Sequence, residues 1–336
     1  MKRLIICSMF VLGVAAAAAA QSVPKGVGMP KTPWGDPDIQ GVWDFWTFTP
    51  LERPKEFEGK AVLTDAEAAA VANRMQRQAL APSRAGDTGS YAQDLWTDRA
   101  RAKALNQTSI IIEPEDGKVP PMTPEAKRAM DVHKAGGGHP VRARTDGVGD
   151  GGPEDRGLSE RCLVGFNVGP PFLPGGYNNN VQVVQTKDHV MLHLEMNHDV
   201  RIIPLDKRPH LPSTVKTWFG DSRGRWDGNT LVVESTNFTP KVAAFSARLG
   251  GGGFEYGSAD NTKLIERFTR IDNKTLHYEF TVDDPTSFTK PFTGRLPMNL
   301  SDQLMYEVAC HEGNYGLENI LKGARIAEKL PPEGKK

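Results

Sequence analysis

In TLHYEFTVD (275–283) every second side chain is apolar: Leu276, Tyr278, Phe280 and Val282 take one face, and His277, Glu279, Thr281 and Asp283 take the other. A period of two marks an extended strand, and a sheet of such strands has one dry side and one wet side. The same habit returns in VQVVQT (181–186), VMLHLEM (190–196), VRIIPL (200–205), TLVVES (230–235) and KLIERFTRI (263–271). The breaks are short and polar: Lys187-Asp188, Asp227-Gly228 and Asp272-Asn273-Lys274 are residue types that turn a hairpin. With PFTGRLPM (291–298) and LMYEVAC (304–310) added, roughly eight strands joined by short turns predict a mainly β domain. The expected form is an antiparallel, lipocalin-like β-barrel or curled sheet over residues 158–315.

Outside that window the chain reads differently. Met1–Ala20 pairs a basic start, Lys2 and Arg3, with an apolar run and small residues at Ala18 and Ala20, which predicts a signal peptide cut before Gln21. No later apolar run approaches the ~20 residues of a spanning helix, so the expectation is a periplasmic or secreted chain without an integral membrane segment. Residues 21–157 predict an N-terminal arm. Its aromatics Trp34, Trp43, Phe45, Trp46 and Phe48 are expected to lie against a body formed elsewhere, because rings this dense would otherwise be exposed. Thr64-Asp65-Ala66-Glu67 is a capping box for a helix running to Pro82, and Thr123-Pro124-Glu125 starts a second that ends at Gly136. A Gly-rich surface loop follows to Gly157. Within residues 316–336, LENILKGARIAEKL has helical spacing and is expected to close the barrel, with Asn314 as its cap.

Composition narrows the partners. Without the leader's Lys2 and Arg3 the chain carries 39 basic and 41 acidic side chains. Such a near-neutral surface offers little counterion release, so no nucleic acid is expected as a partner. Loss of Cys7 with the leader leaves Cys162 and Cys310. In an oxidising compartment an even count favours a disulfide between them.

Several motifs touch on chemistry. Gly147-Val148-Gly149-Asp150-Gly151-Gly152 fits a dinucleotide fingerprint in spelling, but no strand precedes it and no helix follows, so no cofactor is expected. Gly220-Asp221-Ser222-Arg223-Gly224 spells a nucleophile elbow, and Ser222, Asp283 or Asp284, and His311 stand in the chain order of α/β-hydrolases. An elbow needs a helix after its serine, whereas this one leads into a hairpin. His193, Glu195, His198 and Asp199 hold enough ligand atoms for a metal, but strand alternation puts His198 off the shared face unless the chain bends, and no metal is assigned. A wider cluster lies at the expected strand ends: His198, Asp199, Arg201, Asp221, Arg223, His311 and Glu312. If they converge at one rim, His198 or His311 can act as a base, oriented by Asp199 or Glu312, with an arginine holding a substrate anion. The plainer alternative is a set of ion pairs tying loops to the rim.

TPWGDPDIQGVW (32–43), TPLERP (49–54), LSERC (158–162), HDVRIIPLDKRPHLP (198–212), GDSRGRWDGNTLVVESTNF (220–238), ERFTRID, YEFTVDDP and CHEGNY together resemble a large family of secreted bacterial proteins of unassigned function. Lys207 stands where that pattern has Gly. The resemblance implies export and a shared β-rich fold, and carries no catalytic residues across. The expected function is binding of a small-molecule ligand in or at the mouth of the barrel. The alternatives are an acid–base enzyme, lyase or hydrolase, using the rim cluster, a serine hydrolase at Ser222, and a structural envelope protein.

Overall fold

A computed structural model of the chain describes residues 29–79, 105–135, 153, 158–169, 171–243, 245–249, 252–256, 258–327 and 329. The alternating runs form strands. In chain order these are β1 (Gly41–Asp44), β2 (Ile111–Glu113), β3 (Asn180–Gln185), β4 (His189–Leu194), β5 (Val200–Pro204), β6 (Asp221–Asp227) and β7 (Thr230–Thr236). They continue with β8 (Phe245–Leu249), β9 (Gly252–Tyr256), β10 (Lys263–Arg270), β11 (Thr275–Asp283) and β12 (Phe292–Leu300). Among the described residues the α-helices are α1 (Asp65–Ala79), α2 (Pro124–Ala135) and α3 (Tyr315–Ala327).

Local chemistry explains most boundaries. The Thr64 amide donates to Glu67 Oε2 and the Glu67 amide to Thr64 Oγ1, the reciprocal pair of a capping box. Thr123 Oγ1 caps α2 through the Ala126 amide, and Asn314 Oδ1 caps α3 through the Leu317 amide. The β6–β7 turn is Gly228-Asn229, one residue later than the sequence suggested, because Asp227 still pairs with Thr230.

Sheet order is β5-β4-β3-β1-β12-β11-β10-β7-β6, antiparallel throughout, with β2 added on β12. The strands enclose a nearly closed barrel. The arm does more than cover this body: β1 is one of its staves, with Trp43 opposite both Val181 and Leu300. LMYEVAC, expected as a strand, is not one; residues 304–310 form no ladder, and Leu304 and Tyr306 are 77% and 70% exposed. The place beside β12 that this run would need is already taken by β1. The C-terminal helix is present, but none of its described side chains is buried, so it rests on the surface.

The lumen is filled. Phe172, from the loop before β3, stacks on Phe45 at 5.6 Å and meets Tyr278 at 5.1 Å. Tyr278 meets Phe280 at 5.8 Å, Phe280 meets Phe245 at 6.3 Å, and Phe245 sits edge-on to Phe292 at 5.0 Å. This run of rings, each burial being worth about 1.5–3 kcal/mol, converts the barrel interior into a core. The one edge-to-edge gap lies between β5 and β6, which have no shared ladder. There Gly224 lets the strands approach: a Cβ on it would lie 2.7 Å from Leu205 and 2.8 Å from Ile203. Side chains close the seam where backbone does not. Arg201 on β5 pairs with Glu266 on β10 at 2.5 Å and reaches Ser222 on β6 and Ser235 on β7.

The Cys162–Cys310 disulfide is formed. It ties the loop that delivers Phe172 to the stretch leading into α3. Among the described residues no helix is long and apolar enough to cross a membrane. Residues 1–20, read as a leader, and the Gly-rich stretch 136–157 apart from Pro153, with its Gly147–Gly152 motif, lie outside the described residues.

Candidate functional site

The cluster expected at the rim divides into three groups and two exposed residues, His311 and Glu312. Arg201 is inside the wall, where burial works against its charge but the adjoining Glu266 carboxylate more than offsets this and holds the guanidinium charged. Tyr278 Oη donates to Glu266 and accepts the Phe172 amide. Burial, reinforced by Glu266, raises the Tyr278 phenol well above its ordinary range. Ser222 is buried in the same network, its hydroxyl against Ser235 at 2.8 Å, on a strand that enters a hairpin.

Asp221 and Arg223 form a second group with His210, which the sequence reading passed over. Asp221 accepts from His210 Nδ1 at 2.8 Å, the Leu211 amide at 3.0 Å and Arg223 Nη1 at 2.7 Å. Burial opposes ionisation of Asp221, but these donors prevail and hold the carboxyl below its usual range. They fasten the 206–212 loop to β6. Lys207 in that loop keeps a φ of 60° despite its side chain.

The third group is the β4–β5 turn. Asn197 and His198 both take positive φ, at 59° and 47°, a strained pair for residues with a Cβ. Glu195 turns inward and accepts from Asn180 Nδ2 and the Tyr306 amide. His198 Nδ1 bonds the Val308 carbonyl at 3.3 Å, so the exposed imidazole is anchored to the segment before the disulfide. His311 and Glu312 are exposed, and their side chains make no hydrogen bond or ion pair among the described residues. His193 faces outward beside Gln182, and no group of three or more metal-ligating side chains occurs among the described residues.

Asp199 is the one member whose proton affinity is moved into a useful range. Its Oδ2 is buried with no hydrogen-bond partner among the described residues, and burial raises the carboxyl from 3.8 to about 6, against a smaller opposing effect of His198. The folded chain therefore keeps a proton that the unfolded chain releases. Stability from this group falls as pH rises from about 4 to about 6, and the cost is complete above that. Asp199→Asn is expected to stabilise the protein near pH 7.5 by about 1–2 kcal/mol, after discounting for partial solvent access, and to be neutral near pH 4. Urea midpoints at the two pH values check this. An equal change at both would show that the carboxylate carries no burial cost.

A recess of about 420 Å³ lies elsewhere, on the outer wall. Its floor is the wet face of β11 and β12: His277, Arg295, Pro297 and Asn299. Register makes this floor, since His277 stands opposite Pro297, Glu279 opposite Arg295 and Thr275 opposite Asn299. Its sides come from the arm through Trp46, Arg53, Ala61 and Val62, and from residues 105–115 through Leu105, Gln107, Ile112 and Glu115. Arg295 gives Nε and Nη2 to Glu279 Oε2 at 3.0 and 2.7 Å. Burial, then the Arg295 charge, depresses the His277 imidazole, which is neutral near pH 7. The Trp46 indole N–H is buried and has no hydrogen-bond partner among the described residues.

The strand alternation had put His277 and Glu279 on the wet face. The arm's rings had been expected to cover something. What the sequence did not show is that the two meet, because Trp46, Gln107, His277 and Arg295 are far apart in the chain. Comparison with protein-family models, with curated proteins and with solved structures finds no match to this chain.

Proposed function

We propose that this chain is an exported protein that binds one small molecule in the recess between the N-terminal arm and the outer face of β11 and β12. Export rests on the leader-like Met1–Ala20 and on the disulfide. The observation that carries the binding reading is the recess itself. Its volume of about 420 Å³ falls in the ~300–1,000 Å³ range of small-molecule sites, which combine an apolar lining with a few placed polar groups. The packed lumen supports this location over the barrel interior.

Native mass spectrometry of protein purified without denaturation tests the reading. A bound small molecule is expected on the wild-type chain and not on Ala61→Trp, which fills the recess from its rim. A ligand retained in full by that variant would place the site elsewhere.

A second reading has one specific support. The raised proton affinity of Asp199 beside His198 suits a general acid in a lyase or hydrolase. Turnover of any substrate found by screening should then disappear in Asp199→Asn; undiminished turnover discards the reading.

A further inference from the structure

Burying a guanidinium away from water is costly unless an anion accompanies it. Arg53 is 7% exposed and lines the recess, yet it makes no ion pair among the described residues. Its donors go to neutral oxygens: Nε to Thr108 Oγ1 at 3.0 Å and Nη1 to the Glu115 carbonyl at 2.8 Å. Nη2 has no hydrogen-bond partner among the described residues. The position is enforced from behind. Gly117 has a φ of 69°, and a Cβ there would lie 2.6 Å from Ser109 Oγ and 3.0 Å from Arg53 Cβ. The bonds to Thr108 and the Glu115 carbonyl tie the arm to residues 108–115, but neither neutral oxygen compensates the buried charge.

Building on the proposed recess, we infer that its ligand is an organic monocarboxylate with a flat apolar body, its carboxylate held by Arg53. The charge count selects the class. Arg295 already shares Glu279, the His277 imidazole is neutral, and the Glu115 side chain is exposed to solvent although it borders the recess. Arg53 is the one lining cation without a carboxylate partner among the described residues, and with the Glu115 carboxylate at the rim it suits a single negative charge better than the near-double charge of a phosphate monoester. Val62, Leu105, Ile112 and Pro297 supply the apolar lining for the body of the molecule.

Three matched probes test this by titration calorimetry: 2-naphthoate, 2-naphthamide and 2-naphthyl phosphate. Charge-assisted hydrogen bonds favour the carboxylate over the amide by about tenfold or more. Arg53→Gln is expected to weaken naphthoate about tenfold or more and to leave the amide unchanged. Arg53→Lys, which keeps the positive charge, should retain the preference for naphthoate over the amide, so the inference remains testable if Arg53→Gln folds poorly. Equal binding of naphthoate and amide, with no effect of Arg53→Gln, overturns the anion and leaves the recess as a neutral-ligand site. Tighter binding of the phosphate overturns the carboxylate class. If none of the three binds, the inference falls, while the recess reading is judged separately by the retained-ligand measurement.

Discussion

Arg201→Met should destabilise the fold by about 3–5 kcal/mol, the typical penalty for leaving one member of a buried ion pair without its partner. Both side chains of the Arg201–Glu266 pair are almost fully buried, at 2% and 0% exposure. The arginine also supplies hydrogen bonds to Ser222 and Ser235. Its loss strands Glu266 in the lumen with only Tyr278 Oη to solvate it. The double variant Arg201→Met/Glu266→Gln should recover more than half of the deficit, since glutamine carries no charge and still accepts from Tyr278. Urea denaturation followed by tryptophan fluorescence measures both. If the single variant loses less than about 1 kcal/mol, within the range of an ordinary hydrogen bond, apolar packing alone holds the β5–β6 seam.

This pair has a topological role that an isolated surface bridge would not have. A barrel normally closes through backbone hydrogen bonds between first and last strand, and here β5 and β6 have none. Arg201 spans the gap from the inside, fixing β5 against β6, β7 and β10 together. The arrangement explains why a charged residue occupies a position that strand alternation assigns to the dry face. Its Nε remains buried without a partner, so the closure is incompletely satisfied.

Removal of the Cys162–Cys310 disulfide is the second large effect. The bridge spans 148 positions, and on the chain-entropy account closing a loop of that size stabilises the folded state by about 5 kcal/mol. Cys162→Ser/Cys310→Ser should lose most of that in equilibrium unfolding. Hydrogen exchange adds a local readout. Protection should fall first in residues 158–164 and around Val308, where the His198 and Asn314 bonds depend on the two segments staying together. A global loss without that local one would mean that the bridge acts only on the unfolded chain.

Much of this molecule can be read from short stretches. Leu276, Tyr278, Phe280 and Val282 point inward as their spacing requires, and each is fully buried. Thr64, Thr123 and Asn314 cap the helices whose starts they mark. These features depend on neighbours within a few residues, and a few residues of sequence contain them. LMYEVAC shows the limit: its alternation is adequate for a strand, but strand formation needs an unpaired neighbour, and β1 had taken the place at β12.

The site residues were harder to read for the same reason. His198, Asp199, Arg201, Asp221, Arg223, His311 and Glu312 were grouped by their places at strand ends, which says nothing about direction. Arg201 went inward to Glu266, Asp221 and Arg223 went to His210, and His311 and Glu312 remained in solvent. Arg53 carried no local signal, because an arginine after TPLE reads as an ordinary surface residue until its burial is known.

By itself, then, the sequence determined most strands of the barrel wall, their inward faces, the caps and the pairing of Cys162 with Cys310, all consequences of periodicity, local hydrogen bonding and count. Only the tertiary structure decided that the arm supplies a stave, that rings fill the lumen, that Arg201 closes the seam, and that Trp46, Arg53, His277 and Arg295 border one recess. Each of those depends on segments brought together from distant parts of the chain, where the outcome is a competition for neighbours that no single stretch encodes.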